Sequence, residues 1–178
     1  MSIEVRAVSK SFGTTQALQD IEIEFADNCI YGLLGNNGAG KTTLLNIIAN
    51  RLYGDSGQVL IDGESVYDND LLLGRLFMVG DSNLYPEDMR VSKALTITKL
   101  FYPNYDYEYA LNLAERFGLN IHKKINSLST GYSSIYRLVL ALSVNTPYLL
   151  FDEPVLGLDA QHRDMFYKLL IEKYAQHP

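Results

Sequence analysis

The segment Gly35-Asn36-Asn37-Gly38-Ala39-Gly40-Lys41-Thr42 has the spacing G-x-x-x-x-G-K-[ST] at every position. That spacing suits one kind of chemistry. Glycines let successive backbone N–H groups turn inward on an anion, and the first turn of a following helix adds the positive end of its dipole. Lys41 supplies a full charge for the β and γ phosphates of a nucleotide, and the Thr42 hydroxyl is a hard ligand for Mg²⁺. Thr43 completes the set of phosphate-binding candidates. A second constellation lies in Tyr148-Leu149-Leu150-Phe151-Asp152-Glu153, an apolar run that ends in two carboxylates. Ligands of open α/β sheets bind at the carboxyl ends of strands, so Asp152 is placed to hold Mg²⁺. Glu153 is placed to orient and deprotonate an attacking water, a role worth about 10² to 10⁴ in rate. Lys41 and Glu153 are therefore the candidate catalytic residues.

The elements that must position these residues can be read from periodicity. Ile3, Val5 and Ala7 alternate with Glu4, Arg6 and Val8, and Ile21, Ile23 and Phe25 alternate with Glu22 and Glu24, which is strand spacing. The run Cys29-Ile30-Tyr31-Gly32-Leu33-Leu34 is apolar on both faces and reads as a buried central parallel strand leading into the glycine-rich turn, with Cys29 a small buried hydrophobe. Leu44, Leu45, Ile47, Ile48 and Leu52 then form the inward face of a helix, and Gly54 to Gly57 break the chain before a strand at Gln58 to Ile61. From Pro86 the character changes: helices are expected at Val91–Tyr102, Asp106–Phe117 and Tyr132–Val144, the first two parted by Pro103-Asn104. Gly118 is the expected C′ residue of the second, and Asn145-Thr146-Pro147 stop the third. Tyr148 to Phe151 is another strand, followed by a helix from the cap Asp159 to Tyr174.

Leu128-Ser129-Thr130-Gly131-Tyr132, taken with GNNGAGKTT and FDEPVLGLD, resembles the signature of ABC (ATP-binding cassette) ATPases, usually written LSGGQ. The three motifs occur in the family's order across most of the chain. The resemblance implies a P-loop NTPase: an α/β fold with a mostly parallel central sheet, an antiparallel N-terminal strand region and a helical insertion. The ATPase core would occupy residues 1–85 and 145–178, and a helical subdomain with the signature would occupy 86–144. In that family two ATPase domains pair head to tail, so Ser129 and the Gly131 backbone would donate to a γ-phosphate held by a second domain. Phe12 resembles the aromatic that stacks on adenine, and Leu156-Gly157-Leu158-Asp159 resembles the loop that reaches across the pair. Asp81 stands nearest the family's Mg²⁺-contacting glutamine.

Thr130 and Tyr132 stand where the signature usually has Gly and Gln. The family continues past the last helix to a strand ending in a histidine that polarises the γ-phosphate; this chain stops at Pro178, which implies a fragment or a shortened cassette with an exposed sheet edge. His122, His162 and His177 match no such position and read as solvated surface residues.

Composition agrees with this and excludes alternatives. The 178 residues favour about one domain, and 47% hydrophobic content suffices for a core without disulfides, of which a single cysteine can form none. With 15 Lys+Arg against 21 Asp+Glu the net charge is −6, the wrong sign for a sequence-independent nucleic-acid binder. No stretch approaches the roughly 18 apolar residues of a membrane span, and Met1 to Lys10 lacks the apolar region of a secretory signal. The expected function is the ATP-binding and ATP-hydrolysing subunit of a transporter, bacterial exporter-like, with ATP and Mg²⁺ as cofactors. Its expected partners are a membrane permease and a second ATPase domain, and its expected place is the cytoplasmic face of the membrane. The alternatives are a non-transport ABC ATPase and a truncated cassette that binds ATP with little turnover.

Overall fold

The computed structural model describes residues 2–80 and 84–176. It divides into two compact units, Met1–Leu76 and Phe77–His177. The first is built on β1 (Ser2–Phe12), β2 (Thr15–Ala26), β3 (Ser56–Ile61) and β4 (Glu64–Ser65), a sheet in the order β2-β1-β3-β4 with antiparallel neighbours. α1 (Lys41–Ile48) follows β2, and the short α2 (Asp70–Leu73) is capped by the Asn69 side chain, which accepts from the Leu72 N–H. Ile3, Val5, Leu18, Val59 and Ile61 of the sheet and Leu44, Ile47 and Ile48 of α1 are buried. The helix ends at Ile48, so Leu52 falls beyond it and stays half-buried.

One face assignment changes along β1. Ala7 adopts φ 50°, and the register with both neighbours shifts across it. The irregularity turns the strand by one residue, so Val8 rather than Ala7 enters the core, at 1% exposure.

The run from Cys29 to Leu34 is the larger correction. It forms no regular strand; Cys29 is exposed, and Leu34 is 93% exposed. A strand buried on both faces needs hydrogen-bonded neighbours on both edges, and none of the paired strands among the described residues takes this segment as a neighbour. The Tyr31 hydroxyl anchors it, accepting from the Ala26 N–H at 2.9 Å, with the ring edge-on to Phe25.

The second unit contains the paired strands β5 (Leu76–Val79) and β6 (Tyr148–Phe151), with α3 (Val91–Phe101), α4 (Tyr107–Arg116), α5 (Thr130–Ser143) and α6 (Ala160–Gln176). These helices lie within two or three residues of the spans expected from periodicity. Their caps explain where they begin: the Asp106 carboxylate accepts from the Tyr109 N–H at 2.9 Å, and the Asp159 carboxylate accepts from the His162 N–H at 2.9 Å. α5 is the axis of this unit. Ile135, Leu138, Val139 and Leu142 are buried as expected, and Tyr136, Leu140 and Ala141 on its other sides are fully buried too. From Leu138 to Leu142 the helix is apolar on every side, as an interior segment must be. The Lys173 ammonium closes its end, donating to Leu142 O at 2.8 Å and Asn145 Oδ1 at 2.6 Å, and burial lowers its pKa from the ordinary lysine value.

Candidate functional site

The phosphate loop belongs to the first unit. Ala39 N–H donates to Asn36 O at 3.1 Å, closing a turn, and Leu44 N–H donates to Gly40 O at 2.8 Å, opening α1. Gly40 is the N-cap at φ 84°, with no side chain capping the first turn and no acidic residue within it. The first N–H groups of the helix are therefore left for an external anion. Glycine is required there twice over: the left-handed φ disfavours any side chain, and a Cβ would lie 2.4 Å from Ala17 O of β2. The Lys41 ammonium folds back into the loop, donating to Gly35 O at 2.7 Å and Asn36 O at 2.9 Å. Asn37, Gly38 and Thr42 are exposed, and Thr43 is half-buried. Phe12, at the end of β1, is half-exposed at 51%, with the Lys10 ammonium 5.6 Å from its ring centre.

The carboxylates belong to the second unit. Asp152 N–H donates to Val79 O at 2.8 Å, which sets Asp152 beside the end of β5 and near Gly80. Asp152 is half-buried, while Glu153 is exposed at φ 46°, a left-handed conformation uncommon for a residue with a side chain. Asp81, the sequence candidate for the remaining Mg²⁺ contact, lies outside the described residues.

The signature residues sit at the start of α5. The Ser129 hydroxyl accepts from the Tyr132 N–H at 3.3 Å, so it caps its own helix and keeps its proton for a second partner. Gly131 meets the loop after β6: a Cβ there would lie 2.6 Å from Gly157 O, and a Cβ on Gly157, itself at φ 75°, would lie 3.2 Å from Gly131 N. The two glycines are thus backbone against backbone. Asp159 caps α6, and hydrogen bonds from the His162 backbone and then its ring lower the Asp159 pKa. His162 is only partly exposed, and its ring stacks on Phe117 with centres 6.0 Å apart, so it is less solvated than its sequence position suggests; His122 is exposed.

Two residues that the motifs did not single out face the carboxylates. Ser134 and Arg137, one turn apart on α5, lie close to Val79, Gly80, Asp152, Glu153 and Pro154. Their signal in the sequence is a serine and an arginine, three residues apart, on a helix whose inward positions are otherwise apolar up to Ser143.

The donor chemistry fits the groups the motifs imply. Within the first unit, an uncapped helix start beside an inward-turned ammonium suits a polyphosphate.

Comparison with known proteins gives the family and the fold. The ABC transporter family profile matches residues 18–156, and the chain belongs to that family. The ABC transporter ATP-binding protein YtrB of Bacillus subtilis is 32% identical over 174 residues, covering 98% of this chain and 60% of the relative. The sulfate/thiosulfate import ATP-binding protein CysA of Caulobacter vibrioides is 35% identical over 173 residues, covering 92% of this chain and 51% of the relative. The chain thus spans little more than half the length of these curated relatives. Among solved structures, the ATP-binding subunit of an ABC transporter superposes with TM-score 0.86 at 22% identity, covering 99% of this chain and 76% of that one. A dimeric bacterial ABC transporter cassette gives 0.84 at 22% identity, covering 98% and 83%. The fold is therefore that of a P-loop ATPase cassette.

Proposed function

We propose that the chain is the ATP-binding and ATP-hydrolysing part of an ABC transporter, in which nucleotide draws two ATPase domains together and their motion drives a separate membrane permease. The observation that carries this reading is the pre-shaped phosphate loop, with Lys41 turned into it and the start of α1 free of side-chain caps. Phe12 stacks on the adenine, since stacking needs only the π face. Gly35, Asn36, Asn37, Gly38, Ala39, Gly40, Lys41, Thr42 and Thr43 hold the phosphates, whose oxygens take over the ammonium from Gly35 O and Asn36 O. Ser129 and the Gly131 N–H of one domain cap the γ-phosphate bound by the other, at the start of α5.

Thr42, Asp152 and Asp81 are the residues assigned to Mg²⁺, which when bound neutralises charge on the phosphates. Glu153 accepts the proton of the attacking water. The permease holds the pair at the cytoplasmic face of the membrane, in line with the transport roles in the names of the curated relatives.

Titration calorimetry of MgATP against the full chain, beside Lys41→Ala, tests the reading. The expected outcome is binding by the native chain and a loss of at least about 100-fold in the variant, the scale of a lost charge-assisted contact to phosphate. A folded chain that does not bind MgATP would overturn it.

A further inference from the structure

Glu153 presents a structural problem that the motif does not solve. Its left-handed backbone, φ 46°, is maintained only if the residues around it hold it there. On the upstream side Asp152 is fixed to β5 through Val79 O. On the downstream side the chain turns at once, with Leu156 N–H donating to Glu153 O at 3.1 Å. A side-chain hydrogen bond ties that turn to α5: the Ser134 hydroxyl donates to Leu156 O at 2.8 Å. Ser134 is 3% exposed, so water does not compete for the bond. The Arg137 guanidinium makes a long hydrogen bond to the same hydroxyl at 3.4 Å, which directs its proton toward Leu156. One turn earlier on the helix, the Gly131 backbone lies against Gly157, the next residue of that loop.

We propose that Ser134 is a positioning residue for Glu153: with Arg137 orienting its hydroxyl, it fastens the turn that follows the carboxylate to the helix that begins with the signature motif. Within one chain, the segment that caps a second domain's nucleotide and the residue that activates water over its own are then two ends of one rigid connection. The inference rests on the assignment of Glu153 as the base.

Two readouts on the full chain test it, using Ser134→Ala, Ser134→Thr and Arg137→Met. In native-state amide exchange, Ser134→Ala is expected to speed exchange at Leu156 about tenfold while the amides of α5 from Leu138 to Leu142 keep their protection. Ser134→Thr restores the slow rate, and Arg137→Met gives an intermediate one. Unchanged exchange at Leu156, or loss of protection throughout α5, overturns the proposal. In steady-state MgATP hydrolysis, Ser134→Ala is expected to lower kcat about tenfold with KM for ATP unchanged, as a misplaced catalytic group does. A loss that appears in KM instead, or that Ser134→Thr fails to restore, also overturns it. Glu153→Gln separates the two readings: if turnover survives that change, the assignment of the base fails, while the exchange result still decides whether Ser134 holds the turn.

Discussion

Single residues decide the phosphate loop because they have no room for substitutes. Gly40→Ala brings a Cβ to 2.4 Å from Ala17 O and forces a side chain to φ 84°. A backbone carbonyl cannot move aside as a flexible side chain can. The expected cost is about 2 kcal/mol or more, seen as a fall of several degrees in the melting temperature, together with loss of MgATP binding. Gly131→Ala meets the same obstacle in the second unit, 2.6 Å from Gly157 O, and is expected to lower kcat more than it lowers stability. Cys29 is exposed, and stoichiometric labelling by a thiol reagent without denaturant is the expected result. The loop's geometry was legible because its glycines and lysine stand at a fixed local spacing, and the turn they form is made by neighbours in sequence. The contacts of Gly131 with Gly157 and of Ser134 with Leu156 join residues 26 and 22 positions apart, and no local spacing encodes them.

At the scale of elements, helices were the more readable. α4 and α5 announce themselves by apolar period and by caps, because the partners that stabilise their starts are their own neighbours in sequence; α3 shows its period alone, since its first N–H groups donate to Lys123 O and Ile121 O. β5, four buried residues from Leu76 to Val79, has no alternation to reveal it, and Cys29–Leu34 has the composition of a central strand without the paired neighbours that would make it one. Strand identity depends on another part of the chain supplying hydrogen bonds. The link between β1 and β3 shows how such pairing is secured. Asp55, just before β3, accepts from the Lys10 ammonium and the Ser11 N–H, both at 2.7 Å, and these bonds hold its carboxyl below the usual range. The contribution is present above the unfolded pKa near 4 and lost as pH falls through the lower folded value. Melting curves of the native chain and Asp55→Asn are therefore expected to differ at neutral pH and to converge in acid. Within the core of the second unit the buried Tyr136 hydroxyl has no hydrogen-bond partner among the described residues, whereas the Tyr85 hydroxyl pairs with Thr98 at 2.8 Å. Tyr136→Phe is expected to leave stability unchanged or raise it by about 1 kcal/mol, and Tyr85→Phe to lower it by a similar amount.

For the whole molecule, the chain covers 98% of itself but 60% of the YtrB relative, so the part shared with longer cassettes runs from the first sheet through α6. Among the described residues no helix is long and apolar enough to cross a membrane. The proposed pairing of two ATPase domains can be tested directly. Glu153→Gln, which keeps the shape of the side chain and removes its basicity, is expected to accumulate an MgATP-dependent dimer in sedimentation velocity, and Ser129→Ala to weaken it. A chain that stays monomeric at saturating MgATP would count against the paired site.

The Lys41 ammonium, held between Gly35 O and Asn36 O, means that the loop is wound around a cation of its own before any nucleotide arrives. Binding then becomes an exchange of oxygens around a fixed charge rather than the freezing of a loose segment. Recognition of this kind follows the charge of the incoming group, so affinity should rise from mono- to di- to triphosphate and fall with added salt, with little demand on the sugar or base. The loop would be a general polyphosphate receptor, and selection for adenine would be left to Phe12 at the far end of β1.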